Sequence, residues 1–352
     1  MKKQHLLKSM LLLCALVAGS GSVWATTAKL TITSKPSSSS ETLTDDGSNS
    51  WSFTSDGTVS GSETTLIHVG TNSSPVSYIK LNTSAFTSKR ITKVQVWAAA
   101  KASTSTTTKI TIGTTLLGKS SELTNTTSSG GTEFSVDVTD KVTGNLEIEI
   151  SRPSKTNGAI YFVKAIVTYE TTEKIVITNA GYATFSSCFE VAIPSGVTAY
   201  YANLKDASTV SLKEITGDYI PANEGVVVAG DEGNYSATIT STSASAITGN
   251  LLKPQLKAGT PSESTYYTLA AGPTFKLSTG GTLAAGKAYL VPSGSSANEL
   301  TVDFGEGNVT GITDIKNNMS DVNCVIYDLS GRKVSQPTKG LYIVNGKKVL
   351  IK

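Results

Sequence analysis

The sequence predicts an all-β fold: a β-sandwich or jelly roll, a second β-rich domain, and a small C-terminal antiparallel β unit. Three observations carry this. One short run after another alternates apolar and polar residues with period two, as strands buried on one face require. The segments between them are rich in Ser, Thr, Gly and Asn, the residues of turns and loops. Across residues 26–172 no run has a helical period, and about nine strands fit into fewer than 150 residues.

Residues 1–25 come first and read as a secretory signal peptide. Lys2, Lys3 and Lys8 form the positive region, Met10 to Ala18 the apolar run, and Val23-Trp-Ala25 the small-residue cleavage site ending at Ala25. The apolar run is too short to span a bilayer as a helix. Cys14 comes directly after Leu13, where a lipidation motif would need a small residue, so no lipid anchor is expected. No later run reaches spanning length, so the mature chain is expected to lack a transmembrane segment. The signal segment holds three of the 30 basic residues and none of the 27 acidic ones, so the mature chain is electrically balanced. With no basic patch, nucleic acid is not an expected partner.

In residues 26–172 the strand-like runs are Lys29-Leu-Thr-Ile-Thr33, Trp51-Ser-Phe53, Thr65-Leu-Ile-His-Val69, Ser77-Tyr-Ile-Lys-Leu81 and Ile91 to Ala100. Lys109-Ile-Thr-Ile112, Phe134-Ser-Val-Asp-Val138, Leu146-Glu-Ile-Glu-Ile150 and Ala159 to Tyr169 complete the set. Thr171-Thr-Glu173 marks a boundary. From there to residue 306 Tyr and Gly rise, and runs such as Glu224-Gly-Val-Val-Val228, Tyr266-Tyr-Thr-Leu269 and Gly286-Lys-Ala-Tyr-Leu290 are entered or left through Gly or Pro. Phe304-Gly-Glu-Gly-Asn-Val-Thr-Gly311 reads as the linker to a last unit, residues 307–352. There Asn345-Gly346 separates Leu341-Tyr-Ile-Val344 from Val349-Leu-Ile351, a strong hairpin signal because both turn residues accept positive φ. Asp328-Leu-Ser-Gly331 is a second turn, before Arg332-Lys-Val334.

The sequence carries three resemblances. Val325-Ile-Tyr-Asp-Leu-Ser-Gly-Arg-Lys-Val334, Lys339-Gly-Leu-Tyr-Ile-Val-Asn-Gly-Lys-Lys-Val349 and the terminal lysine are similar to the C-terminal sorting domain of Bacteroidetes proteins exported by the type IX secretion system. The resemblance implies a sorting signal made by Gly331, Lys339, Gly340, Tyr342, Gly346, Lys347, Lys348 and Lys352. It also implies the secretion machinery as partner, and passage through the periplasm to the outer surface or medium. Ile91-x-x-Val-x-Val-x-Ala98 and Gly158-Ala-Ile-Tyr161 with Ile166 and Tyr169 resemble the jelly-roll, galactose-binding-like modules of secreted Bacteroidetes proteins. Residues 173–306 resemble a β-rich accessory module that precedes such sorting domains, with no activity implied.

Candidates for chemistry are few. His68 is the one histidine after the signal peptide, and it lies in an alternating strand, where a solvated strand residue is the plainer reading. Glu147, Glu149 and Asp137 are acidic candidates for glycoside cleavage, and read more simply as the polar face of their strands. Asp45 and Asp46, in Asp45-Asp-Gly-Ser-Asn49, offer oxygen ligands to Ca²⁺, though an acidic turn is preferred. Trp97 shares the polar face of its strand with Lys93 and Gln95, where a tryptophan offers a sugar ring a stacking platform, though cover by a neighbouring loop or domain is the preferred reading. Trp51, Tyr200 and Tyr201 are weaker aromatic candidates. Cys188 and Cys324 are read as separate buried thiols. The expectation is a secreted or surface protein, not an enzyme, that binds glycans or a host surface. A structural spacer or adhesin component without a small ligand is the alternative, and a secreted hydrolase ranks last.

Overall fold

The computed structural model describes residues 25–100, 106–122, 130–152, 158–242, 244–293, 297–304, 326–328, 332–334, 340–344 and 347–351. The chain is all-β, and no helix occurs among the described residues. Within that set, no helix is long and apolar enough to cross a membrane. The signal peptide up to Trp24, the linker 305–311, Cys324, Gly331, Lys339, Gly346 and Lys352 lie outside the described residues.

Eleven strands build the first unit. They are β1 (Thr26–Thr31), β2 (Ser40–Thr44), β3 (Ser50–Ser55), β4 (Ile67–Val69), β5 (Tyr78–Thr83), β6 (Arg90–Ala100), β7 (Thr107–Ile112), β8 (Thr115–Lys119), β9 (Thr132–Asp137), β10 (Leu146–Ser151) and β11 (Ile160–Glu170). One sheet has the order β1-β11-β6-β9, with β4 also on β11; the other has β2-β3-β5-β10-β7-β8. Every pairing in both is antiparallel. The alternation explains the packing. Val94, Val96 and Ala98 of β6 face Ile79 and Leu81 of β5 and Ile148 and Ile150 of β10 within one core, all of them fully buried. Each such aliphatic side chain contributes roughly 1.5–3 kcal/mol by leaving water.

The second unit begins with β12 (Thr172–Ile177), β13 (Tyr182–Ser186), β14 (Glu190–Ala192), β15 (Val197–Asp206), β16 (Thr209–Glu214), β17 (Tyr219–Ile220) and β18 (Gly225–Gly230). It continues with β19 (Gly233–Thr240), β20 (Leu252–Gln255), β21 (Tyr266–Ala270), β22 (Thr274–Ser278), β23 (Lys287–Leu290) and β24 (Glu299–Asp303). Four strands pair as β12-β19-β14-β17, and nine as β13-β18-β15-β16-β24-β22-β21-β23-β20. The unbroken valine run of β18 is buried on both faces: Val226 and Val228 enter one core, Val227 another. β24 lies between β16, to which it runs parallel, and β22.

The last strands, β25 (Ile326–Tyr327), β26 (Gly340–Val344) and β27 (Lys347–Ile351), form an antiparallel three-stranded sheet. Gly340 pairs with Ile351 and Val344 with Lys347, so β26 and β27 make the hairpin that the sequence signals. Asp328 and Arg332 close the other turn, with Asp328 N donating to Arg332 O at 2.8 Å and Arg332 N to Asp328 Oδ1 at 2.9 Å.

Candidate functional site

Strand register separates the first sandwich into two ends. Ser55 lies opposite Ile79, Tyr78 opposite Ser151, and Ile160 opposite Ala100, so the loops before β2, after β3 and before β5 meet at one end. Tyr169 and Ile91 lie opposite each other at the other end, where the chain passes into β12. The distal end carries an open cleft of about 720 Å³, lined by Ser37-Ser-Ser39, by Ser55, Asp56, Gly57, Thr58 and Val59, and by Ser73-Ser-Pro75.

Hydrogen bonds inside these loops fix the walls. Ser37 N and Oγ both donate to Glu41 Oε2, at 2.6 and 2.9 Å. Those bonds hold the Glu41 carboxyl below its usual range, the backbone bond most. Asp56 Oδ1 accepts from Ser77 N at 2.7 Å and Tyr78 N at 3.2 Å, tying the β3–β4 loop to β5. Gly70 N donates to Thr58 O at 2.9 Å and Ser74 N to Thr71 Oγ1 at 3.0 Å. Gly57 sits where an added Cβ would stand 2.8 Å from the Val76 side chain, so the wall passes too close for any larger residue. Seven of the eleven lining residues carry hydroxyls and one carries a charge.

Beside the cleft's outer wall, His68 is half-buried. Its Nδ1 stands 3.3 Å from Glu63 Oε2, and its ring lies 4.6 Å from that of Tyr161. Burial first, and the Glu63 charge second, push the Tyr161 hydroxyl up. This pairing anchors the loop between Val59 and β4. The ring nitrogen thus meets a carboxylate rather than the serine hydroxyl that a nucleophilic pair would need.

Trp97 is half-buried on the outer face of its sheet, and the ring holds Lys164 Nζ 4.1 Å from its centroid. Across the strands Trp97 is opposite Glu133, Gln95 opposite Ser135 and Lys93 opposite Asp137. Gln95 Nε2 donates to Glu133 Oε1 at 2.7 Å, and Lys93 Nζ lies 3.9 Å from Asp137 Oδ1. The three residues do share one face, but their polar ends are already engaged there.

Other candidates need correction. Trp51 is fully buried: with Ser52 exposed and Phe53 also buried, its parity points inward, and its ring meets Phe86 edge-on. It cannot stack a ligand. Tyr200 is likewise core, at 3% exposure. The Asp45 carboxylate is filled by N–H groups: Oδ1 accepts from Gly47 N, Asn49 N and Asn49 Nδ2, and Oδ2 from Asn49 Nδ2 and Trp51 Nε1. Asp46 Oδ1 accepts from Lys29 N at 2.6 Å. The stretch is therefore a turn whose donors occupy the positions a cation would take, and no group of three or more metal-ligating side chains occurs among the described residues. Lys80 Nζ sits between Glu149, at 3.0 Å, and Glu147, at 3.8 Å. The two carboxylates thus form one ion-pair cluster with Lys80 on the polar face of their strands.

Cys188 is a buried free thiol, pushed up to about 12 by burial first and by the Glu173 charge next. Sequence reasoning missed the cleft because its residues lie in Ser-rich loops, which alternation does not read. It also missed the cluster of Arg90, Lys141 and Glu173 where the first unit meets the second.

No protein-family model and no curated protein matches the chain. Among solved structures it is similar to the N-terminal CBM22-1–CBM22-2 tandem domain from Paenibacillus barcinonensis Xyn10C, at 6% identity and a TM-score of 0.25, over 66% of this chain and 95% of that one.

Proposed function

We propose that this chain is a non-catalytic, secreted or cell-surface protein that binds glycans through the distal cleft of its first sandwich. The observation that carries the reading is the lining. A cleft of about 720 Å³ lies within the size range of small-ligand sites. Hydroxyls that both donate and accept suit a neutral partner equally rich in hydroxyls, which is a saccharide. With Asp56 as the one charged side chain of the lining, phosphorylated or sulfated ligands are disfavoured. Export by the type IX secretion system, with the C-terminal unit as sorting signal, belongs to the same reading and rests on the tail motifs. A host surface would be met through its glycans.

The test is a glycan array probed with residues 26–352, followed by calorimetry on the best sugar. Ser38→Trp and Ser73→Trp place bulk at exposed cleft positions and should each weaken binding tenfold or more. An array without hits would favour the spacer or adhesin-component reading. The Trp97 row supports a second reading, an outer-face platform. Displacing Lys164 from the ring of half-buried Trp97 costs only about 1 kcal/mol, within reach of a stacking sugar. Loss of binding in Trp97→Ala, but in neither cleft variant, would select it.

A further inference from the structure

We propose that the first sandwich and the second β-unit move as one rigid body, locked by the buried carboxylate of Glu173. Independent motion is the default for neighbouring domains joined by a linker. Here the connector between β11 and β12 is Thr171 alone. Two residues on, Glu173 belongs to the second unit but is 0% exposed, and its Oε2 meets two cations of the first: Lys141, with which it pairs closely, and Arg90 at 3.7 Å. Arg90 Nη1 also holds Glu170 Oε2 at 3.1 Å, and Ser187 Oγ donates to Glu173 Oε1 at 3.3 Å.

The backbone repeats the clamp. Lys141 N donates to Leu256 O at 2.7 Å, and Ala258 N to Asp140 Oδ1 at 3.3 Å, so the loop after β9 is fastened to the loop after β20. Gly286, at φ +84°, closes the cradle: an added Cβ there would stand 3.0 Å from Lys141 Cε. Opening a hinge at this joint would pull the Glu173 carboxylate from Lys141 and Arg90 together and break the Lys141 N–Leu256 O bond with them. The lock lies at the end of the sandwich opposite the cleft, so it fixes the direction in which the cleft points from the second unit. This inference stands whatever the cleft binds.

The test uses residues 26–352 with Cys324→Ser, spin-labelled at K119C and K213C, both exposed and one on each unit. Pulsed dipolar spectroscopy should give a single narrow distance distribution, and thermal unfolding of the two units should coincide. Glu173→Gln should broaden the distribution at least twofold and separate the two transitions. If that variant does not fold, Arg90→Lys is the milder lesion and should broaden it to a smaller degree. A broad distribution in the unsubstituted protein would overturn the proposal. So would a narrow one that survives every variant that folds.

Discussion

Trp51 Nε1 donates to Asp45 Oδ2 at 3.0 Å, so the largest side chain of the first core and the first residue of the turn after β2 hold each other in place. The turn and the core are thus one structure. Asp45→Ala strands a fully buried indole N–H and removes the acceptor for the turn's own amides. Each buried group left unpaired costs about 1–3 kcal/mol, so a total loss of about 2–4 kcal/mol is expected in denaturant melts. A loss under about 1 kcal/mol would separate the turn from the core. Added Ca²⁺ should leave the melting temperature of the unsubstituted protein unchanged.

Trp97→Ala is expected to behave differently from any Trp51 substitution. Trp97 is half-buried and its ring contact with Lys164 is worth about 1 kcal/mol, so the melting temperature should fall by only a few degrees. Truncating Trp51 to Ala, by contrast, should cost about 3–5 kcal/mol, the range for large buried aromatics. Comparable losses at the two positions would mean that the outer face is more deeply covered than its exposure indicates.

Cys188 should be inert in the native protein at pH 8 and react with thiol reagents only after unfolding. Its thiol is pushed up to about 12 from the ordinary value of 9.0, which is taken for the unfolded chain. The native state therefore holds the proton more tightly. The stability linked to this group is complete below about pH 9 and is lost as pH rises towards 12, by up to about 1.4 kcal/mol per pH unit. The stability gap between the unsubstituted protein and Cys188→Ala should accordingly narrow across that window. Recovery of a Cys188–Cys324 peptide pair under non-reducing conditions would refute the free-thiol assignment.

Removal of residues 310–352 should leave both upstream units folded and, in the native host, strand the protein in the periplasm. No strand of the three-stranded C-terminal sheet pairs with a strand of the other sheets, so nothing upstream depends on it for strand pairing among the described residues. Cell fractionation of the truncated protein decides the matter. Normal surface levels would show that the tail is simply another β-module.

Sequence alternation found nine of the first unit's eleven strands and passed over two at sheet edges. Nine strands of the first unit were legible because residues such as Val94, Val96, Ile148 and Ile150 place β-branched side chains on one face. The two it missed, β2 and β8, are the two edges of the six-stranded sheet. An edge strand buries less: β2 reads Ser-Glu-Thr-Leu-Thr with no fully buried residue, and β8 exposes Leu116. Trp51 was misread although Phe53, two residues on, gave its facing away. The all-β class followed from local pattern. The cleft and the joint did not, because the cleft is assembled mostly from loop residues and the joint from β6, β12 and the loop after β9, all far apart in sequence, and the Thr-Thr-Glu that looks like a linker buries its glutamate completely.

The position of β24 has a consequence for the order in which the protein can be made. This strand is the last of its unit to leave the ribosome, yet it lies in the middle of the nine-stranded sheet, joining the block that ends at β16 to the block that begins at β22. Until residue 303 is available, those blocks have no strand to connect them, and the only parallel pairing among the described strands cannot form. Such late, long-range closure is slow. The unit therefore stays incomplete until its synthesis is nearly finished, and its nine-stranded sheet closes only after residue 303 has emerged.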